Sequence, residues 1–109
     1  MKCLALAALL LSGQALAADA QLMFKIMVCE SGLKYDAVGD DGKSFGIAQF
    51  RRETFGEFAK LAEKKMRTAR MWPPDIRNPQ HQVFLLEWGL DHGYANRWTC
   101  YRKIRGGLE

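Results

Sequence analysis

A glutamate closes an apolar run at Cys29-Glu30-Ser31-Gly32. A polar loop follows, and then an apolar segment with a single amide, Gly46-Ile47-Ala48-Gln49-Phe50. A carboxyl group at the end of a mostly buried helix sits where the helix dipole and the apolar surroundings both disfavour its charged form. Both effects raise its pKa, which a general acid needs in order to hold its proton near neutral pH. Ser31 and Gln49 could hold polar substrate groups beside it, and Gly46 permits a close backbone approach. The chemistry such a set supports is protonation of a leaving oxygen on a hydroxyl-rich substrate, as in glycan cleavage. Plainer roles are open to the same residues. A helix-end glutamate can simply reach water, and a glutamine amide can be satisfied by backbone.

The intervening loop offers Asp36, Asp40 and Asp41 as a second carboxylate. Hydrolytic glycosidases place such a pair about 5 to 9.5 Å apart. Gly39, Asp40, Asp41 and Gly42 also have turn chemistry, and Asp41-Gly42 suits a tight turn or a short hairpin, so turn formation is the plainer role for Asp40 and Asp41. No cofactor and no metal is expected. Two isolated cysteines, with His81 and His92 distant from them, do not form a ligand cluster.

The elements that must position these residues read as a mainly α, single small domain of about four helical pieces with a loop-rich site region. Leu22, Ile26 and Cys29 share one helical face in a run from Ala20 to Cys29, which puts Glu30 at its C-terminal end. Residues 31 to 44 read as loop; Ser44 to Phe50 fits helix or strand equally. The spacing of Phe55, Phe58, Ala62 and Met66 predicts a helix over Thr54 to Arg70, stopped by Trp72-Pro73-Pro74. Asn78-Pro79 is a strong helix start. Val83, Leu86 and Leu90 mark the helix that follows, with Phe84 and Trp88 widening its stripe and Gly93 ending it. A last segment, about Asn96 to Ile104, carries Trp98 and Cys100.

Residues 1–20 read as a cleaved signal peptide, leaving 21–109 as the domain. Lys2 precedes the apolar run Leu4 to Leu11, which is shorter than the roughly 20 residues a membrane span requires. Ala15-Leu16-Ala17 supplies the small residues for a cut before Ala18, and Ala18-Asp19-Ala20 offers a second cut. Removal of Cys3 with the leader leaves Cys29 and Cys100. In an oxidising compartment, the periplasm or the exterior, a disulfide between them is expected, because with two cysteines an intramolecular pairing is forced. Two free buried thiols is the other reading. The bond would close a long loop, contributing about 4 kcal/mol in the chain-entropy picture.

The net charge is +4. The basic residues gather at Arg51-Arg52, Lys60 to Arg70 and Arg97 to Arg105. That balance favours an anionic partner; for an exported protein a wall polymer is favoured over nucleic acid, although a solvated basic surface explains any single residue as well. No stable membrane insertion is expected, and a monomer is.

The paired motifs resemble those of the soluble lytic transglycosylase family, which shares its fold with goose-type lysozymes. That family shows a Glu-Ser pair, a loop, and a Gly-x-x-Gln segment, matched here by Glu30-Ser31 and Gly46-Ile47-Ala48-Gln49. The helix start at Asn78-Pro79 is also similar, and the likeness spans about 22 to 101. It is closest to the small exported enzymes of conjugative elements and secretion systems. The resemblance implies a lysozyme-like fold and peptidoglycan glycan strands as substrate, with a secretion, pilus or conjugation apparatus as a further partner. It implies that Glu30 is the catalytic acid and then base at the bond between N-acetylmuramic acid and N-acetylglucosamine, with a 1,6-anhydro product and no second carboxylate. It implies that Ser31, Gly46 and Gln49 hold the glycan. The family's Ala-Tyr-Asn-Ala-Gly stretch has its nearest counterpart in Gly93-Tyr94-Ala95-Asn96, which makes Tyr94 a substrate-binding candidate; a core or rim aromatic is its other reading. The chain is short for the family, which leaves a shallow groove or one walled by a partner. Hydrolysis by water, a non-catalytic wall-binding module, and a membrane-active basic protein are the alternatives.

Overall fold

The computed structural model describes residues 18–107. The expected leader falls outside the described residues except for Ala18 to Ala20. The described chain is mainly helical. It holds five α-helices, α1 Ala20–Ser31, α2 Arg52–Leu61, α3 Glu63–Thr68, α4 Pro79–Asp91 and α5 Thr99–Gly107. Between α1 and α2 lie three two-residue strands, β1 Val38–Gly39, β2 Ser44–Phe45 and β3 Phe50–Arg51. They pair antiparallel in the order β1-β2-β3, with Val38 opposite Phe45 and Phe45 opposite Phe50.

Capping explains where the helices begin and end. Asp19 accepts a hydrogen bond from the Leu22 N–H at 2.7 Å and starts α1, and Gly32, in the left-handed conformation, ends it. Asn78 Oδ1 accepts from the Gln80 and His81 amides, with Pro79 in the first turn of α4. The expected helix over Thr54 to Arg70 is two helices meeting at Ala62. Neither proline nor glycine sits there; Ala62 is itself buried, as are Phe58 and Met66 on either side of it. The undecided segment Ser44 to Phe50 is strand, turn and strand. Asp41-Gly42 lies in a short 3-10 turn that links β1 to β2.

The core contains an aromatic cluster. Phe50 meets Phe55, Phe58 and Trp98 edge-on, with ring centroids 5.4 to 5.9 Å apart, an arrangement worth about 0.5–1.5 kcal/mol per pair beyond burial. Gly89 lets α4 close on this cluster: a Cβ there would stand 2.7 Å from Phe58 and 2.9 Å from Trp98. Cys29 and Cys100 form a disulfide, with Cα atoms 5.9 Å apart, that ties the end of α1 to the start of α5. Among the described residues, no helix is long and apolar enough to cross a membrane.

Candidate active site

The site is built around a loop, 46–49, that is held from four directions. Ser31 Oγ, at the end of α1, donates to the Ile47 carbonyl at 2.7 Å. The buried Gln82 of α4 accepts from the Ala48 N–H through Oε1 at 2.9 Å and donates through Nε2 to the Phe45 and Ile76 carbonyls. Trp98 Nε1 donates to the Ala48 carbonyl at 2.9 Å. Gln49 Nε2 donates to the carbonyls of Ala37 and Gly46. Gly46 has φ +89°, and a Cβ on it would run into the Gln82 amide, so both its conformation and its surroundings call for glycine.

This loop forms part of the wall of a cleft of about 270 Å³ that contains Glu30. Gln49, Phe50, Asp40, Arg97 and Arg102 line the same space. Glu30 stands half-buried at the end of α1, and its Oε2 accepts from the Cys100 N–H, in the first turn of α5, at 3.1 Å. Burial is the main effect on its carboxyl and raises the pKa above the ordinary 4.5; the Cys100 amide pulls it down, the nearby Asp40 charge pushes it up, and Lys103 pulls it down. The acid therefore holds its proton more tightly than a free glutamate. The amide that moderates it comes from the far end of the chain.

The two sequence motifs are thus brought together, directly by the Ser31–Ile47 hydrogen bond and otherwise through Gln82 and Trp98. Glu30 and Gln49 face the same cleft. Ser31 and Gly46 shape the loop behind it, Ser31 by its bond to Ile47 and Gly46 by its contact with Gln82. Tyr94 lies elsewhere: it packs on Phe58 and Trp88 and lines a second cleft with Leu61, Lys64 and His92. The Arg97 guanidinium, 5.4 Å from the Tyr94 ring, links the two clefts. Of the loop aspartates, Asp40 lines the Glu30 cleft, where its Oδ2 accepts from Ser44 Oγ at 2.6 Å; Asp36 and Asp41 are exposed.

A scan against protein-family models and searches of curated proteins and of solved structures found no match to this chain.

Sequence reasoning missed Gln82, Trp98 and Arg102 as site residues. Gln82 carries a signal in retrospect: it shares a face of α4 with Leu86 and Gly89, at i, i+4 and i+7, where an amide is costly unless bonded. His81 beside it is also used internally, its Nδ1 accepting from the Asp75 N–H at 3.0 Å. Among the described residues, no group of three His, Cys, Asp or Glu side chains could hold a metal ion.

Proposed function

We propose that this protein is a peptidoglycan lytic transglycosylase with Glu30 as its general acid and base. The observation that carries the reading is a half-buried glutamate whose proton affinity is raised by burial, set in a polar cleft walled by the 46–49 loop. The paired Glu30-Ser31 and Gly46 to Gln49 motifs, which resemble those of that family, supply the substrate class.

The Cys100 amide binds Oε2, so the transferable proton belongs on Oε1. Glu30 gives that proton to the glycosidic oxygen of N-acetylglucosamine as its bond to C1 of N-acetylmuramic acid breaks. The carboxylate then takes the proton of the muramic 6-hydroxyl as that oxygen bonds to C1. The product is a 1,6-anhydro ring, and Glu30 ends the cycle protonated. Gln49, Ser31 and Gly46 act by fixing the wall against which the sugar lies.

One observation favours a second reading, a hydrolytic muramidase. Asp40 faces the same cleft as Glu30 and acts on its charge, as the second carboxylate of a glycosidase would.

The disulfide fits export to an oxidising compartment, and the place of action would be the periplasm or the exterior. A leader cut after Ala17 would leave Asp19 in place as the α1 cap; a cut after Ala20 would discard it. The partners are glycan strands and, by resemblance, a secretion, pilus or conjugation apparatus. Clearing of a suspension of purified sacculi tests the reading: wild type should clear it, and Glu30→Gln should not. Equal clearing by both would overturn it.

A further inference from the structure

We infer that the Glu30 cleft reads a carboxylate carried by its glycan, and that Arg102 is the residue that grips it. The inference deepens the proposed glycan-cleaving function and rests on it.

Three arginines line the cleft, Arg51, Arg97 and Arg102. Two of them face acids of the protein. Arg97 holds Glu57 with both of its terminal nitrogens, at 3.2 and 3.4 Å. Arg51 lies 3.9 Å from Asp40 Oδ2. Arg102 is different. Its Nη2 donates to a neutral hydroxyl, Thr99 Oγ1, at 3.3 Å, and among the described residues it forms no ion pair with a carboxylate. Among the described residues, no ion pair joins it to Glu30 either. The cleft thus contains a planar, permanently charged fork whose charge is unmatched.

A guanidinium fork matches a carboxylate in shape and binds it through two parallel hydrogen bonds. Wall glycan carries such groups next to the bond to be cut. They sit on the stem peptide or, where no peptide is attached, on the lactyl ether of muramic acid. Neutral polymers of N-acetylglucosamine carry none. Arg102 therefore gives the cleft a means of telling muramic acid from its neutral neighbour, and hence of choosing which glycosidic bond lies over Glu30.

The test uses sacculi with native carboxylates and sacculi whose carboxylates have been methyl-esterified. Co-sedimentation of Glu30→Gln protein reads binding without turnover. It should bind native sacculi about tenfold more tightly than esterified ones, the scale of one charge-assisted contact. Adding Arg102→Gln should remove that difference, whereas adding Arg67→Gln, which deletes a charge paired with Glu63 and absent from the cleft lining, should leave it. Arg102 is exposed, so its loss does not threaten folding. Hydrolysis of the lactyl–peptide amide by an amidase gives soluble glycan strands that carry a newly freed lactyl carboxylate in place of each stem peptide; tight binding to these strands, read by analytical ultracentrifugation, shows that a lactyl carboxylate satisfies the contact, and weak binding assigns it to the peptide. Discrimination that survives Arg102→Gln, or is absent in the Glu30→Gln protein, overturns the inference. Turnover by wild type separates the two claims. Carboxylate-dependent binding without released muropeptides keeps Arg102's role and refutes the enzyme. Muropeptide release with the same KM on native and esterified sacculi keeps the enzyme and refutes Arg102's role.

Discussion

Cys100 holds Glu30 by a hydrogen bond and the residue before it by a disulfide. The Cys100 N–H donates to Glu30 Oε2 at 3.1 Å, and the Cys100 side chain is bonded to Cys29, the residue before Glu30. The candidate acid, at the end of α1, is thereby held against the first turn of α5, although the two lie 70 residues apart in sequence. The disulfide restrains the backbone on either side of this hydrogen bond, and the hydrogen bond in turn moderates the proton affinity of the acid.

Cutting the disulfide should therefore lower stability and activity together. Replacing both Cys29 and Cys100 by serine should cost about 4 kcal/mol through loop entropy. Activity at a temperature where the variant is still folded should also fall, because the Cys100 amide is no longer fixed on Oε2. Thermal unfolding with and without reductant, paired with a sacculus assay, checks both. An unchanged midpoint would speak against the bond.

The pH dependence of cleavage should move in opposite directions with the two charges that act on Glu30. The acid works while protonated, so activity declines as pH rises through its pKa, which lies above the ordinary 4.5. Asp40→Asn removes a like charge that raises that pKa, and the alkaline limb should shift to lower pH. Lys103→Met removes an attraction that lowers it, and the limb should shift to higher pH. Profiles of kcat against pH for the two variants decide the matter; shifts in the same direction would contradict the assignment.

Much of the helical scaffold was legible in sequence because local chemistry carries it. Asn78 and Pro79 state a helix start in two residues, and the end of α1 followed from the apolar stripe and Gly32. The bend at Ala62 was not legible, since the stripe Phe55, Phe58, Ala62, Met66 continues through it without a proline or glycine. The two-residue strands were too short to show an alternation, so Ser44 to Phe50 gave no period to read. At the site, the acid stood out through its surroundings: alone it could simply reach water, but Ser31 follows at once and the polar loop returns to an apolar segment that holds Gln49. Gln82 and Trp98 were hidden because what they do is defined by partners far along the chain, Ala48 above all. Arg102 read as one more residue in a basic run, and only its neighbours in space set it apart.

Glu30 should also lower the stability of the fold at neutral pH. Its folded pKa is raised, so the folded state keeps its full advantage below about pH 4.5 and loses part of it as pH rises through the folded value. Glu30→Gln removes the buried charge. The variant should be more stable than wild type at pH 7, and the difference should shrink toward pH 4. Urea unfolding at the two pH values measures it; a variant less stable than wild type at pH 7 would show that the carboxylate is well accommodated.

Gln82→Leu should damage the site from behind. It leaves the Ala48 N–H and the Phe45 and Ile76 carbonyls without their partner, at a cost of at least about 2 kcal/mol. With the 46–49 loop loosened, kcat should fall more than the stability loss alone explains. Denaturant titration and sacculus turnover, compared at a temperature where both proteins are folded, separate the two effects.

Mass analysis of the muropeptides released from purified sacculi addresses Glu30 and its chemistry in one measurement. Wild type should release fragments ending in 1,6-anhydromuramic acid, and Glu30→Gln should release none. Fragments with only reducing ends would assign hydrolysis in place of transglycosylation, and undiminished release by Glu30→Gln would remove Glu30 from the reaction.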